Sequence, residues 1–153
     1  MLRIENVLRY GAAAPAGAPR LVLPFERRCV SRQTVQLSDG RAAALFLPRG
    51  TVLRGGDVLA AEDGTRIVVE AAPEQVLIVR AHDPRALARA AYHLGNRHVP
   101  VEVGAGHLKI EHDHVLADLL RRLEVELEPA AAPFEPESGA YGAPHQHGHA
   151  HDH

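Results

Sequence analysis

Cysteine, aromatic residues and net charge are all scarce in this chain. The single cysteine, Cys29, excludes an intramolecular disulfide and a CxxC motif, and it is typical of a reducing compartment. Tryptophan is absent, and three Phe and three Tyr leave few rings on which bases or sugars could stack. The 17 basic residues nearly balance the 19 acidic ones, so no basic field is available to hold a phosphate backbone. Nucleic acid is therefore not an expected partner.

Long apolar runs are also missing. No segment approaches the roughly 18 apolar residues that a membrane-spanning helix requires. At the N-terminus, Arg3, Glu5 and Arg9 interrupt the apolar region that a secretion signal would need. We expect a soluble, cytoplasmic protein with no membrane partner.

The segment 1–72 has the pattern of a small all-β domain. Its apolar residues form short runs, and loop-forming Gly and Pro residues separate these runs. The dipeptides Asp39-Gly40 and Asp63-Gly64 favour tight hairpin turns, because they readily supply positive φ angles.

The segment 73–128 predicts strand, helix, strand, strand, helix, strand, which is the βαββαβ order of ferredoxin-like folds. Asp83 and Asp113 are the candidate N-caps of the two helices, and Pro84 is suited to the first helical position. Two apolar stripes are predicted to face the sheet: Leu87, Ala90, Ala91 and Leu94 on the first helix, and Val115, Leu116, Leu119, Leu120 and Leu123 on the second. The predicted fold class of the whole chain is therefore α+β.

From residue 129 to residue 153 the composition changes to Pro, Ala, Gly, Glu and His without periodicity. Such a segment cannot cover a core, so we predict a disordered tail. Five of the chain's 11 histidines lie at its end, at alternate positions: His145, His147, His149, His151 and His153.

Alternating histidines predict metal binding. In an extended chain, side chains two residues apart are about 6.6 Å apart and point the same way, so a slight bend brings two rings onto one ion. Imidazole suits nickel, zinc and copper. Ordering a flexible segment costs entropy, so each ion should be held loosely. An expression tag is the alternative explanation, but here Gln, Gly, Ala and Asp interrupt the histidines.

Two further histidine clusters lie inside the second domain. His93 and His98 occur in the run YHLGNRHVPV at residues 92–101, and each taken singly favours an ordinary surface or packed side chain over a metal ligand. His112 and His114 flank the predicted cap Asp113, and there the alternative is that the histidines are incidental to a helix start.

The run YHLGNRHVPV, the segment DHVL at residues 113–116 and the His-rich C-terminus resemble the UreE family of urease accessory proteins, which are nickel metallochaperones. The resemblance implies a peptide-binding β-rich first domain, a ferredoxin-like metal-binding domain and a homodimer with a metal site on the two-fold axis. It assigns His98 of both subunits to that metal, His112 and His114 to auxiliary positions, and tail histidines to the same or further ions. It implies Ni(II) as the cargo and, as partners, the urease-maturation GTPase and the urease pre-activation complex.

The predicted ligands fix neither the metal nor the pH range of binding by themselves. Zn(II) or Cu(II) should also bind, since ligand type alone does not select nickel. We expect affinity to fall as the pH drops through about 6.5, the ordinary imidazole pKa, because ligands must be deprotonated. His93 is a possible auxiliary ligand.

A metal-storage protein and a zinc hydrolase are the two alternatives to a metallochaperone. A storage protein would bind metal through the tail alone, so His98→Ala would cost it little capacity. A zinc hydrolase would need a motif such as HExxH, which is absent, and Glu111 beside His112 is a weak substitute. We therefore predict that the chain is not an enzyme.

Overall fold

The chain forms two units, Met1–Ala72 and Pro73–Glu137, and each has its own sheet. The structure is a computed structural model and describes residues 1–9 and 12–138. The predicted tail histidines, from His145 to His153, lie outside the described residues. The mixed α+β class predicted from the sequence is confirmed.

The first unit is a six-stranded sheet of order β2-β6-β5-β1-β4-β3. Its elements are β1 (Leu2–Val7), β2 (Arg20–Leu23), α1 (Phe25–Arg28), β3 (Arg32–Gln36), β4 (Ala42–Phe46), β5 (Val58–Ala61) and β6 (Arg66–Ala71). The pairs β1–β4 and β2–β6 are parallel, and the other neighbours are antiparallel. The helix α1 departs from the all-β prediction: Pro24 stands at its N-cap with φ −69°, and the single turn buries Arg28.

Alternating apolar residues fill the core of this unit. Side chains such as Ile4, Leu21, Leu45 and Ile67 are wholly buried, while their neighbours along each strand are more exposed. This is the period-two pattern of strands that pack on one face.

The two predicted hairpin turns are confirmed. Gly40 and Gly64 have φ angles of 91° and 90° and lie in the β3–β4 and β5–β6 connections. In each turn the aspartate accepts a backbone hydrogen bond, Asp39 from Arg41 at 3.1 Å and Asp63 from Thr65 at 2.9 Å. These bonds hold the pKa of both carboxyls below its ordinary value, because they stabilise the charged form.

A pair of glycine substitutions tests this backbone requirement. Gly64→Ala should lower the free energy of unfolding by about 1–2 kcal/mol, because an L side chain is strained at positive φ. Gly95→Ala should raise it by up to about 1 kcal/mol, since Gly95 lies in a helix and alanine is the better helix former. An added Cβ would meet nothing within 4 Å at either position, so crowding does not confuse the comparison. Urea denaturation measures both effects. A change of the same sign and size in the free energy of unfolding of both variants would contradict the prediction.

The second unit is a four-stranded sheet of order β10-β7-β9-β8, with every neighbour antiparallel. Its elements are β7 (Pro73–Arg80), α2 (Pro84–Asn96), β8 (Glu102–Gly104), β9 (His107–Glu111), α3 (His114–Arg121) and β10 (Glu126–Pro133). The element order is the one that the sequence predicts. No helix within residues 1–9 and 12–138 is long and apolar enough to cross a membrane.

Both predicted N-caps are confirmed. The Asp83 carboxylate accepts the backbone N–H of Arg85 at 2.9 Å, and the Asp113 carboxylate accepts that of Leu116 at 2.9 Å. The apolar stripe of α2 packs into the core as expected, with Ala90 and Leu94 wholly buried.

The predicted stripe of α3 is wrong at its first position. Val115 is 64% exposed, whereas Ala117 and Leu120 are buried. The cause is geometric: at about 100° per residue, Val115 lies roughly 140–160° around the helix from those two side chains.

The predicted start of the tail at residue 129 is also wrong. Strand β10 pairs with β7 residue by residue as far as Pro133 opposite Pro73, and Phe134 beyond it is wholly buried. Prolines normally break a ladder, but β10 is an edge strand, where a missing N–H is tolerated. The Pro- and Ala-rich composition therefore hid a strand.

Candidate metal-binding site

His98 lies directly after helix α2, in a Schellman motif. The backbone N–H of His98 donates to the Gly95 carbonyl at 3.0 Å, and that of Val99 donates to the Leu94 carbonyl at 3.2 Å. These two bonds close the helix after its C-cap, Arg97. His98 therefore stands at the position that glycine usually occupies.

The backbone of His98 is strained. Its φ angle is 60°, in the left-handed region, which costs a non-glycine residue roughly 1–2 kcal/mol. The side chain of His98 is exposed to solvent. Strain of this kind concentrates at functional sites, where the side chain is needed for something other than folding.

A surface hollow brings His98 close to the second histidine cluster. Its lining comes from the loop after α2 and from the connection between β9 and α3: His98, Val99, Pro100, Glu111, His112, Asp113 and Leu116. The hollow thus joins an imidazole from each cluster with two carboxylates. These imidazoles and carboxylates are all potential metal donors.

The two histidines of the second cluster lie side by side. The ring centroids of His112 and His114 are 5.8 Å apart, with the rings edge to face. Both also line a second hollow, with Arg121 and an apolar floor that includes Leu77 and Leu127. His112 therefore lines both hollows.

The remaining histidines of this unit lie elsewhere. His93 packs edge to face on Tyr92, with centroids 5.2 Å apart, and neither hollow includes it in its lining. His82 lies 3.0 Å from the Glu126 carboxylate, and the Nδ1 of His107 lies 3.4 Å from the Ala105 carbonyl oxygen.

The potential metal donors of the described residues occur singly or in pairs. Among residues 1–9 and 12–138, no group of three or more His, Cys, Asp or Glu side chains is gathered closely enough to hold a metal ion. Within that part of the chain, then, His98 and its neighbours form a partial donor set.

Exposed apolar side chains occur on the same unit. They include Tyr92 at 65%, Val103 at 55% and Val115 at 64% exposure. Tyr92 belongs to the run that contains His98, and Val115 directly follows His114.

The thiol of Cys29, in the first unit, is poorly suited to metal binding. Burial raises the pKa of Cys29 despite the opposing charges of Arg28 and Arg54. A metal binds the thiolate, so this shift disfavours coordination at neutral pH.

Comparison with known proteins covers both units. Residues 3–72 match the family model for the N-terminal domain of the UreE urease accessory protein, and residues 74–153 match the model for its C-terminal domain. The chain belongs to the UreE family. Among its relatives are urease accessory proteins UreE from Burkholderia vietnamiensis, 57% identical over 147 residues (96% of this chain, 74% of the relative), and from Cupriavidus necator, 58% identical over 157 residues (97% and 80%). A third, from Cupriavidus pinatubonensis, is 60% identical over 153 residues (97% and 69%).

Membership in UreE confirms the resemblance seen in the sequence. UreE proteins are urease accessory proteins and not enzymes, so the chain has a role in urease maturation and works with other urease-maturation proteins. The prediction that the chain is not an enzyme is confirmed on this ground.

Two carboxylates of this hollow were not predicted as metal donors. Glu111 was considered only for a hydrolase and Asp113 only as a cap, yet both line the hollow with His98. Both carboxylates are direct sequence neighbours of His112, and this was the signal that could have identified them. The left-handed backbone of His98 had no signal in the sequence, because glycine is the residue that usually marks this position after a helix.

Proposed function

We propose that this protein is a nickel metallochaperone that binds Ni(II) as cargo and delivers it for assembly of the urease active site. The observation that carries the proposal is the position of His98: an exposed imidazole held in a strained conformation beside His112, Glu111 and Asp113. Membership in UreE supplies the urease context.

The proposed cargo site is shared by two copies of the chain. Because one copy offers a partial donor set, a two-fold axis at His98 would double it, and tail histidines from His145 onward would complete it. Four to six nitrogen donors suit nickel, and zinc or copper would compete for them. His112 and His114 serve as auxiliary positions that pass ions to or from His98, and His93 is a more remote one.

An exposed site at a dimer interface suits transfer. Solvent and a partner reach it without opening a core, and its ligands separate when the partner supplies better ones. The proposed recipients are the urease-maturation GTPase and the urease pre-activation complex, in the cytoplasm. The β-rich first unit is the part we assign to docking these partners, as a peptide-binding domain.

Native mass spectrometry with nickel tests this function on the full chain and on a chain ending at Pro144. We expect both to form dimers, and the shortened chain to keep one tightly bound nickel ion per dimer while losing the weaker ions. A shortened chain that is monomeric and free of nickel would favour the storage protein, in which the tail provides all binding. Activation of apo-urease by the nickel-loaded chain, together with the GTPase, then measures delivery.

A further inference from the structure

We propose that a hollow on the first unit, here called the arginine hollow, binds carboxylates of an acidic segment of a partner protein. Its lining residues are Val30, Ser31, Arg32 and Arg49, and its volume is about 520 Å³. The inference rests on the proposed function, in which the first unit docks the proteins that receive nickel. It adds the place and the chemistry of that contact.

Arg32 is held at the start of the β3–β4 ladder. It lies opposite Phe46 in the strand register, and its guanidinium carbon is 5.8 Å from the centroid of the Phe46 ring. Directly before it, the Ser31 carbonyl accepts the backbone N–H of Leu47 at 2.9 Å. These contacts fix the backbone of Arg32 and restrict its side chain, so less conformational entropy is lost when a ligand binds.

Arg49 is held by the turn that follows β4. The backbone N–H of Thr51 donates to the Pro48 carbonyl at 3.1 Å, and the Thr51 hydroxyl donates to the same carbonyl at 2.6 Å. Gly50 is the third residue of this turn and has a φ of 86°, as a type II turn requires. Arg49 therefore occupies the second position of a closed turn, at the end of the sheet where β3 begins.

The charges of these two arginines are not balanced by the fold. Four other exposed arginines of the first unit each pair with one of its carboxylates: Arg3, Arg9, Arg20 and Arg41. Within residues 1–9 and 12–138, by contrast, neither Arg32 nor Arg49 forms an ion pair, and neither guanidinium donates a hydrogen bond. Two like charges that line one hollow repel each other, and a bound anion would relieve that repulsion.

The chemistry of the hollow suits a carboxylate next to an apolar side chain. Each guanidinium presents a planar fork of N–H groups that matches the two oxygens of a carboxylate. Val30 is 42% exposed, so an apolar surface lies beside the charged groups. A peptide that carries acidic and apolar residues in turn would contact both.

The exposure of the lining favours a protein partner over a small anion. Val30, Arg32 and Arg49 are all exposed, whereas sites for small ligands are concave and bury about 70–90% of the ligand surface. The distribution of charge agrees. Residues 1–72 contain ten basic and seven acidic residues, and residues 73–137 contain seven and eleven. The first unit is therefore the one that attracts an acidic partner.

The proposed contact does not depend on strand addition, although β3 is an edge strand. The bonds of Ser31 and Leu37 face β4, and bonding alternates along a strand, so the Thr34 carbonyl faces the open edge. The Arg27 guanidinium donates to that carbonyl at 3.2 Å. A charged side chain laid over an edge protects it from pairing. Binding should therefore depend on the arginine side chains of the hollow.

Fluorescence anisotropy with a dye-labelled peptide tests the proposal on the full chain. The probe is a hexapeptide of alternating glutamate and leucine, and its match has glutamine in place of glutamate. Measurement at about pH 8 without nickel keeps the imidazoles neutral and excludes bridging by the metal. We expect the glutamate peptide to bind at least about tenfold more tightly than the glutamine peptide, and Arg32→Gln with Arg49→Gln to weaken it about tenfold.

A second double variant separates the hollow from the overall charge. Arg20→Gln with Arg66→Gln removes the same charge from β2 and β6, on the other side of the sheet, and should change binding less than about twofold. Equal losses in the two double variants, equal binding of the two peptides, or no binding of the glutamate peptide would overturn the proposal. Displacement of the peptide by inorganic phosphate at constant ionic strength would also overturn it, because the hollow would then be a site for a small anion.

Nickel binding separates this proposal from the proposed function. Arg32→Gln with Arg49→Gln should keep the nickel affinity of the natural chain, because the metal donors lie in the second unit, but should lower activation of apo-urease. Unchanged activation by a variant that no longer binds the peptide would overturn the assignment of the hollow to a nickel recipient. The proposed function fails independently if His98→Gly leaves nickel affinity of the full chain unchanged.

Discussion

Replacing His98 with glycine is expected to weaken tight nickel binding at least about 100-fold while making the fold more stable. Removing a residue that only supports a metal ligand costs roughly 10–100-fold, and here two ligands would leave the dimer at once. Glycine adopts the φ of 60° without strain, so the free energy of unfolding should rise by about 1 kcal/mol. Calorimetric nickel titration and urea denaturation of the same variant measure the two effects.

Because nickel affinity should fall while stability rises, His98→Gly is more informative than His98→Ala. A loss of nickel in a more stable protein cannot be attributed to misfolding. His82→Ala is the matched control, because His82 is a 94% exposed histidine of the same unit, paired with Glu126, and it should leave binding unchanged. If His98→Gly binds nickel as tightly as the natural chain, the tail-based storage protein is the better explanation.

Replacing Arg28 with methionine is expected to lower the free energy of unfolding of the first unit by about 2–4 kcal/mol. Arg28 is wholly buried, and its guanidinium donates to the Leu23 carbonyl at 3.0 Å and to the Leu53 carbonyl at 3.1 Å. Leu23 also accepts from Ala72, so the larger cost falls on Leu53. Methionine fills similar space but donates no hydrogen bond, which leaves a buried carbonyl without the donor that Arg28 provides.

Its neighbour Arg27 provides the control. Arg27 donates to Gln33 and to the Thr34 carbonyl at exposed positions, so Arg27→Met should cost less than about 1 kcal/mol. Urea denaturation measures the loss of unfolding free energy. Hydrogen exchange of the β1 and β4 amides then assigns that loss to the first unit. Equal costs for the two arginines would show that burial of Arg28 does not matter.

Much of both units could be predicted because the signals are local. Asp83 and Asp113 cap helices through bonds to residues two and three positions away, and the Asp-Gly turns depend on a single φ angle. Such features need no knowledge of distant residues. Val115 and the start of the tail were mispredicted, because burial on α3 depends on its rotation against the sheet and β10 on its pairing with β7.

The buried Arg28 shows the same limit in the first unit. Arg28 lies in the charged run Glu26-Arg27-Arg28, and only the fold brings the Leu53 carbonyl to its side chain from 25 residues away. A charged residue in a core has no signature in the sequence when its partners are backbone groups.

By itself, the sequence of this chain determined the α+β class, the UreE family and the histidines able to bind a metal, because these depend on residue type and short-range spacing. Only the tertiary structure decided which metal donors lie close together and how much backbone strain His98 carries. His98 and His112 line the same hollow because the loop after α2 lies beside the connection between β9 and α3, and the strained backbone of His98 comes from closing a Schellman motif. The backbone N–H of Glu137 likewise donates to the carbonyl of Val101, which lies far from it in the sequence. Contacts between residues far apart in the chain arise from packing, which no local pattern records.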